Sequence, residues 1–539
     1  MNPKTESAFG SRNNLSANAH YQSERVGCLS PHQITESAGW TKGMVYSTDR
    51  EHEHRHSQNR FAVVPTPLRL AADSDGTARG VTIAFLDSGF YPHPDLTQPV
   101  SRIVAYTDIA NPRANLKSDK MPEESDWHGT MTSVAAAGNG YLSDGVYRGL
   151  ASEAQLVLVK VSENGRITEP NIERGLRWVI ENKERYNIRV VSISLGGDEE
   201  VSYTTNAVDQ AAEDAVKAGI VVVVAAGNSG CNEDHRTVPP ANSPSVITVG
   251  GYHDNNQLDG ALDLYCSSYG PTADGIVKPE IIAPAMWVAA PILPGTDVYD
   301  RAEALSQLAS APDYLLEENA RPADNSKKNG AELWKLSGLG DAIRHLPIGE
   351  IRINVESLLR ENKIVATHYQ HVDGTSFAAP VVASVVAQML EANPRLGPAA
   401  IKHILISTAD RIQGAPAMRQ GFGVLNARRA VEEASREQHE RETMFFCPPR
   451  VNSDKLEFTY HDDAAESVAL AGDFNGWIPT ATRCKRNADG VWRAQIEPLP
   501  PGRYRYKLVV NGERWIEDPA NAMKEPDEYG GFNSILHIS

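Results

Sequence analysis

The sequence predicts an α/β fold, a doubly wound and mostly parallel sheet with helices on both faces, followed by a smaller all-β sandwich. Three observations predict it. Short β-branched apolar runs alternate with helical patterns between residues 81 and 250. Two long apolar helix patterns follow residue 376. From residue 454 the texture changes to short strands separated by tight turns.

The runs VTIAFL (81–86), AQLVLVKV (154–161), IRVVSISL (188–195), GIVVVVAA (219–226) and SVITVG (245–250) are continuous rather than alternating. Continuous apolar strands suit burial on both faces, as in a parallel sheet. Between them, HGTMTSVAAAG, NIERGLRWVIENKER and NAVDQAAEDAVKAG carry helical periodicity, which implies right-handed crossovers. Residues 296–366 break this rhythm with helix-like pieces and polar linkers, and predict a surface insertion. SFAAPVVASVVAQMLEANP and GPAAIKHILISTAD then read as helices, and the α/β domain spans 61–435 with a linker over 436–453. Over 454–539, LEFTYH, SVALAGDF, VWRAQIEPL, YRYKLVV and SILHIS read as strands between turn signals such as NG and PPG. Residues 1–60 are polar and have the composition of a disordered extension; its His52, His54 and His56 read as a solvated charged run rather than a metal tract.

A formal net charge of −17 argues against nucleic acid and anionic membrane surfaces as partners. A hydrophobic content of 41% supports a real core. The N-terminus lacks the pattern of a secretory signal, and no stretch has the apolar length of a membrane span. The five cysteines, at 28, 231, 266, 447 and 484, are odd in number and scattered, with no metal spacing and no obvious disulfide framework. They read as reduced, and the expected location is cytoplasmic.

Three segments carry chemistry. AFLDSGFYPHPDL places Asp87 just past a buried strand, DWHGTMTSVAAAG places His128 at a helix start, and HVDGTSFAAP places Ser376 at another. In doubly wound sheets, sites form where strands end and helices begin, so all three are candidates for one cleft. A serine hydroxyl needs an imidazole to take its proton, and the imidazole needs a carboxylate to fix its tautomer and stabilise its charged form. VVVVAAGNSG places Asn228 just beyond a buried strand, where its amide can donate to an oxyanion beside the Ser376 N–H. Singly, each has an ordinary structural reading: Ser376 as a helix cap, Asp87 as a turn former, His128 as a buried histidine, Asn228 as a left-handed turn residue. Together they supply the parts of an acyl-transfer site.

These segments, with SISLGG, PSVITVGG and KPEIIAPA, follow one another in the order of the subtilisin-type serine proteases (subtilases), which the chain resembles over residues 62–295 and 367–430. The resemblance implies a subtilisin-like sheet and a serine endopeptidase working through an acyl-enzyme, with Asp87, His128 and Ser376 as triad and Asn228 as oxyanion donor. It also implies that Ser194, Leu195, Gly196 and Gly197, and Ala225, Ala226 and Gly227, flank the specificity pocket and pair with substrate main chain. No cofactor is needed for catalysis. Many subtilases hold structural calcium, and the loop GNGYLSDGV offers Asn139 and Asp144 without a dense oxygen-ligand pattern. Met131 stands where the family has a second histidine outside the triad. Glu233 and Asp234, after Asn228, either favour basic substrate side chains or face solvent. Residues 1–60 are too short and polar for the family's folded propeptide, and RFAVVPTPLRL (60–70) is either a short inhibitory segment in the cleft or the leading strand of the domain. The insertion either caps the cleft or decorates the surface.

VALAGDFNGWIPT, GRYRYKLVVNGERWIEDPAN and GGFNSILHI resemble the glycogen-binding modules of the AMP-activated kinase beta subunit and of isoamylase and branching enzymes, over residues 465–538. The resemblance implies an immunoglobulin-like sandwich with α-glucan as partner and Trp477, Lys507, Trp515 and Asn533 at binding positions. Sugar C–H faces pack on indole rings, and amides or ammonium groups satisfy the hydroxyls. NGERW holds one more residue before Trp515 than the kinase modules do, and core or interdomain roles for Trp477, Trp492 and Trp515 compete with this reading. The expected function is therefore hydrolysis of protein or peptide substrates. The alternative is a silent or latent protease-fold scaffold whose sandwich docks to glycan or to a protein.

Overall fold

Strands that are apolar along their whole length need cover on both faces, and the sheet has it. The computed structural model describes residues 62–72, 76–116, 121–258, 260–321, 328–437, 449–452, 455–462, 464–487 and 490–538. The extension with its three histidines, Cys28, Cys447 and most of the linker lie outside the described residues. Strands β1 (Thr82–Asp87), β2 (Ile103–Asp108), β3 (Gln155–Lys160), β4 (Ile188–Ile193), β5 (Val221–Ala225), β6 (Ile247–His253) and β7 (Ile281–Pro284) lie in the order β7-β6-β5-β4-β1-β3-β2. All their pairings are parallel. β1 lies between β3 and β4, and each of its six residues is buried.

The helices are α1 (Asp126–Ala137), α2 (Glu169–Tyr186), α3 (Ala207–Lys217), α4 (Thr375–Ala392), α5 (Pro398–Thr408) and α6 (Ala427–Arg436). On one face, Ile172, Leu176 and Val179 of α2 and Val208, Ala211 and Ala215 of α3 pack on Leu86, Val159, Val191 and Val222. On the other, α1, α4, α5 and α6 share a core with Ile83, Phe85, Leu156, Leu158, Val190 and Val223. α4 is the most enclosed: apart from Ser376, Thr375–Leu390 is buried throughout.

Between β7 and α4 the chain forms an antiparallel stem, Val288–Pro291 against Tyr369–Val372, with Ile364–Ala366 on its outer side. The helices Asp297–Ser310, Asp313–Ala320, Lys328–Ser337 and Ile348–Glu361 grow from this stem. They enclose their own core of Leu305, Leu308, Leu316, Trp334, Ile351 and Val355. Met131 and Ala135 of α1, Val288 and Ala290 of the stem and Phe377 of α4 form a shared cluster. Met131 therefore packs on the stem of the insertion, an apolar contact that suits its apolar side chain.

The described start of the domain is a turn of helix, Thr66–Arg69, rather than a strand. Val63 and Val64 are buried. Asn256 Oδ1 accepts from the Val64 N–H at 2.8 Å, and Arg69 pairs with Asp254 at 3.1 Å.

The C-terminal module is a sandwich. One antiparallel sheet contains Arg450–Asn452, β8 (Lys455–His461), β10 (Val491–Ile496) and Lys485–Arg486, in that order. The other runs β9 (Val468–Gly472), β11 (Gly502–Val510), β14 (Phe532–Ile538), β13 (Lys524–Pro526), with β12 (Arg514–Ile516) paired to β11. Phe458, Leu470, Trp492, Tyr506, Leu508 and Leu536 fill the space between the sheets, so Trp492 is a core residue. Arg411 of the α/β domain donates to the Ala522 carbonyl of the sandwich at 2.9 Å.

A buried charge cluster pins the loop that leads into β6. The Lys278 and Lys402 ammonium groups both donate to Glu280 Oε1, at 2.7 and 2.6 Å, while Glu280 Oε2 accepts from the Thr248 N–H at 2.8 Å. Lys402 also donates to the Pro244 and Val246 carbonyls at 2.7 and 2.8 Å. Burial disfavours the Glu280 charge, but the two ammonium groups outweigh it and hold its pKa below the usual carboxylate value. Removing one member leaves the others buried and uncompensated. Glu280→Ala should therefore lower unfolding stability by about 3–5 kcal/mol in urea titration, the range for a broken buried ion pair.

Candidate active site

Because the strands are parallel, β1, β4 and β5 all end at one edge, and their following residues meet there. Asp87 closes β1 and is 1% exposed. Its Oδ1 lies 2.8 Å from His128 Nδ1 and accepts from the Ser88 N–H at 2.7 Å; its Oδ2 accepts from Thr132 Oγ1 at 3.1 Å. A carboxylate facing Nδ1 requires the proton on that nitrogen and leaves the Nε2 lone pair free. Burial disfavours the charged imidazole, yet the Asp87 charge and hydrogen bond prevail and raise the His128 pKa above its ordinary value. Thr132 follows His128 by four residues on α1, so one helical face presents both to Asp87.

The glycine between His128 and Thr130 allows this approach. A Cβ on Gly129 would overlap the Gly89 carbonyl oxygen and sit 2.8 Å from Asp87 Cβ. Across the site, Gly374 precedes α4 with φ of 136°, a conformation that only glycine adopts without strain. It turns Thr375 and Ser376 toward Asn228.

Thr375 locks that asparagine. Asn228 Oδ1 accepts from the Thr375 N–H at 2.9 Å and from Thr375 Oγ1 at 3.1 Å, while Thr375 Oγ1 accepts from the Gly227 N–H at 3.1 Å. The amide oxygen is thereby occupied, and the Nδ2 donor points elsewhere. Ser376 lies in the first turn of α4, where the N–H has no intrahelical acceptor. Its Oγ lies 3.5 Å from the Ser194 carbonyl oxygen. Ser194 Oγ in turn donates to the Ser376 carbonyl at 2.8 Å. That carbonyl is free because Pro380, four residues on, has no N–H to give it. The His128 and Phe377 ring centroids are 6.0 Å apart, which brings the histidine side against the start of α4.

Asp87 and His128 thus meet on one side, Ser194 bonds Ser376 and Thr375 bonds Asn228 on the other, and the His128–Phe377 ring contact lies between the two groups. Thr132 and Thr375 are the organising residues that sequence reading missed. The i, i+4 spacing to His128 was a usable signal for the first; the second gave none, because its partner is 147 residues away.

One expectation is corrected. Cys231 and Cys266 form a disulfide, with Cα atoms 5.3 Å apart, so the cysteines are not all reduced. Their separation of 35 residues hides the pairing in the sequence. The loop after Asn228 runs alongside residues 266–268: Gly230 N–H donates to the Cys266 carbonyl at 3.0 Å and Ser268 N–H to the Gly227 carbonyl at 2.9 Å. The bond therefore clamps the loop that carries Asn228. Among the described residues, Cys484 is the free cysteine and is buried. Glu233 and Asp234 are exposed, on the solvent side of this loop.

Of the two residues noted for calcium, Asp144 is exposed and Asn139 is bonded within the protein. Asn139 Oδ1 accepts from the Tyr141 N–H at 3.0 Å, and its Nδ2 donates to the Gln98 carbonyl at 2.7 Å. Asp95, buried beneath the loop, accepts from the Leu142 N–H at 3.1 Å and from the Tyr369 hydroxyl at 2.7 Å. Protein donors hold both, and burial raises the Asp95 pKa despite them. No cluster of three or more acidic, histidine or cysteine ligands occurs among the described residues.

The parallel sheet and the site at its carboxyl edge define a subtilisin-like hydrolase domain. Residues 78–423 match the description of the subtilase family, peptidase S8, and the chain belongs to that family. Residues 447–521 match carbohydrate-binding module 48, the isoamylase N-terminal domain. The chain is 32% identical over 365 residues to the serine protease AprX of Bacillus subtilis (strain 168), covering 66% of this chain and 67% of that one. It is 34% identical over 194 residues to the major intracellular serine protease of the same organism, covering 35% of this chain and 55% of the relative. A crystal structure of a cold-adapted subtilisin-like serine proteinase aligns with a TM-score of 0.40 at 20% identity, covering 68% of this chain and 95% of that one. The protein is a subtilisin-like serine protease, a hydrolase, with a module of the carbohydrate-binding class at its C-terminus.

Proposed function

We propose that the protein is an active endopeptidase in which Ser376 attacks the peptide carbonyl. His128 accepts the serine proton at Nε2 and later delivers it to the leaving amine, while Asp87 holds the tautomer and stabilises the imidazolium. The Asn228 Nδ2 and the Ser376 N–H receive the oxyanion. The main-chain groups of Ser194–Gly197 that are left free receive the substrate as an added strand, while Ala225–Gly227, with the Gly227 N–H and carbonyl taken by Thr375 and Ser268, flanks the pocket. The observation that carries this reading is that Asp87 fixes His128 on one side of the cleft while Thr375 fixes Asn228 beside Ser376 on the other. A silent scaffold has no use for a locked amide next to an oriented imidazole.

A fluorophosphonate probe should label the wild-type protein and leave Ser376→Ala unlabelled; equal labelling of both would overturn the assignment. The base must be neutral to act, and the His128 pKa is raised, so its protonated form persists to higher pH. The acid limb of kcat/KM should therefore fall at a pH above the ordinary imidazole value of about 6.5. Asp87→Asn should move that limb to lower pH as well as reduce the rate.

A second reading concerns the sandwich. Tyr506, Leu508 and Val510 of β11 face the core, so Arg505, Lys507 and Val509 lie on the opposite face of the sheet, where Val509 is itself buried. Trp515 pairs with Val509 on that face and is 41% exposed. The β11–β14 register ends at the Tyr506–Ser534 pair, and Asn533 pairs with Glu525 of β13. The Trp477 indole donates to Asp473, which accepts in turn from the Arg505 N–H at 2.8 Å. Lys507 is paired with the Asp527 carboxylate, so its stem rather than a free charge faces a ligand. We propose that this outer face binds α-glucan, with Trp515 as the stacking platform. Retention on immobilised glycogen should be lost in Trp515→Ala, and retention unaffected by that substitution would point to a protein partner for the face.

A further inference from the structure

The substrate-pairing segment ends against a carboxylate that neither the triad nor the oxyanion site uses. Glu169 is the first residue of α2 and follows the small hairpin of Ser162–Glu163 and Arg166–Ile167. Its Oε2 accepts from Asn206 Nδ2 at 3.0 Å. Asn206 is itself immobilised, because its Oδ1 caps α3 by accepting from the Val208 and Asp209 N–H groups at 2.8 and 3.1 Å. The carboxylate is thus held in one place. Its Oε1 lies so close over Gly197 that a Cβ on that glycine would overlap it. Gly197 is in turn held by its N–H, which donates to the Pro239 carbonyl at 2.7 Å.

Among the described residues no cation is paired with Glu169. Arg166 sits across the hairpin from Glu163, Arg174 bonds Asn171, and Arg236 pairs with Glu200 at 2.8 Å. A partly exposed carboxylate, fixed in position and without a counter-charge, borders the segment on which peptide would lie.

We infer that Glu169 is a specificity-determining residue that selects a lysine or arginine side chain in the substrate. This rests on the peptidase reading above. Ser194 adjoins the nucleophile, and Gly197 lies three residues further along the same segment. An extended peptide advances about 3.3 Å per residue, so the side chain over Gly197 belongs to a residue about three positions from the scissile bond. There the cation meets Glu169 Oε1, while Asn206 keeps the other oxygen. An acidic residue in a first helical turn also favours the helix dipole, but that role makes no difference to substrate choice.

The test is kcat/KM on internally quenched peptides that vary one position at a time between lysine, arginine, norleucine and glutamate, at low and high salt. Wild type should prefer lysine or arginine over norleucine at one position about three residues from the cut, by about three- to tenfold at low salt and less at high salt, as expected of a partly exposed charge pair. Glu169→Gln, which keeps the Asn206 contact, should bring that ratio to about one, and Glu169→Lys should invert it toward glutamate. A lysine-to-norleucine ratio unchanged in Glu169→Gln would overturn this inference alone. Absence of any hydrolysis and of fluorophosphonate labelling in wild type would overturn the peptidase reading and this inference with it.

Discussion

The hydrogen bond from Ser194 Oγ to the Ser376 carbonyl joins the two halves of the site, and much of the remaining geometry follows from it. It exists because Pro380 interrupts the helical ladder at the one carbonyl that Ser194 can reach. A proline inside a helix is normally costly. Here it lies in a helix enclosed by α1, α6 and five sheet strands, so packing rather than the local ladder holds the helix together. The same enclosure prevents α4 from turning about its axis, and Ser376 inherits that rigidity.

Polar side chains around the site act in relays, each fixing the next. Asp87 is held by Ser88, His128 and Thr132, and Asn228 is held by Thr375, which is itself held by Gly227. Asn206 caps α3 with its oxygen and orients Glu169 with its nitrogen. In Asn228 the oxygen is used for folding and the nitrogen is left over, and in Glu169 one oxygen is held by Asn206, whereas both oxygens of Asp87 make holding contacts. That division lets a cleft keep pre-oriented donors and acceptors without the flexibility that unpaired polar groups would bring. The insertion is tied into the same frame. Its stem packs on Met131 of the helix that carries His128, and Tyr369 of the stem reaches Asp95, which lies 274 residues earlier.

Much of this was legible in the chain itself. Continuous apolar runs announced strands buried on both faces, and alternating helix patterns announced the two covering layers. Asp87, His128 and Ser376 each stand at a strand end or helix start, so their convergence follows once the strands are known to be parallel. What stayed hidden were contacts between groups distant in sequence. The Cys231–Cys266 pair depends on two loops running side by side, and cysteine count and spacing pointed the other way. Residues 60–70 read as an inhibitory segment or a leading strand; over the described part Pro65 and Pro67 start a helical turn instead of a strand, and its Arg69 is drawn to Asp254. Lys507 stands at a position the resemblance gives to sugar binding, and only the fold shows that the neighbouring turn supplies Asp527 to pair with it.

The sequence by itself determined the fold class, the family and the presence of two modules, and singled out the residues proposed to react, because hydrophobic period and residue chemistry are local properties of a chain. Only the tertiary structure decided which atoms of those groups are occupied and which remain free. The Asn228 oxygen, the Ser376 carbonyl, the Asp95 carboxylate and Glu169 Oε2 all take partners at least 37 residues away. Such pairings are set by how helices and loops pack around the sheet, and no local pattern encodes them.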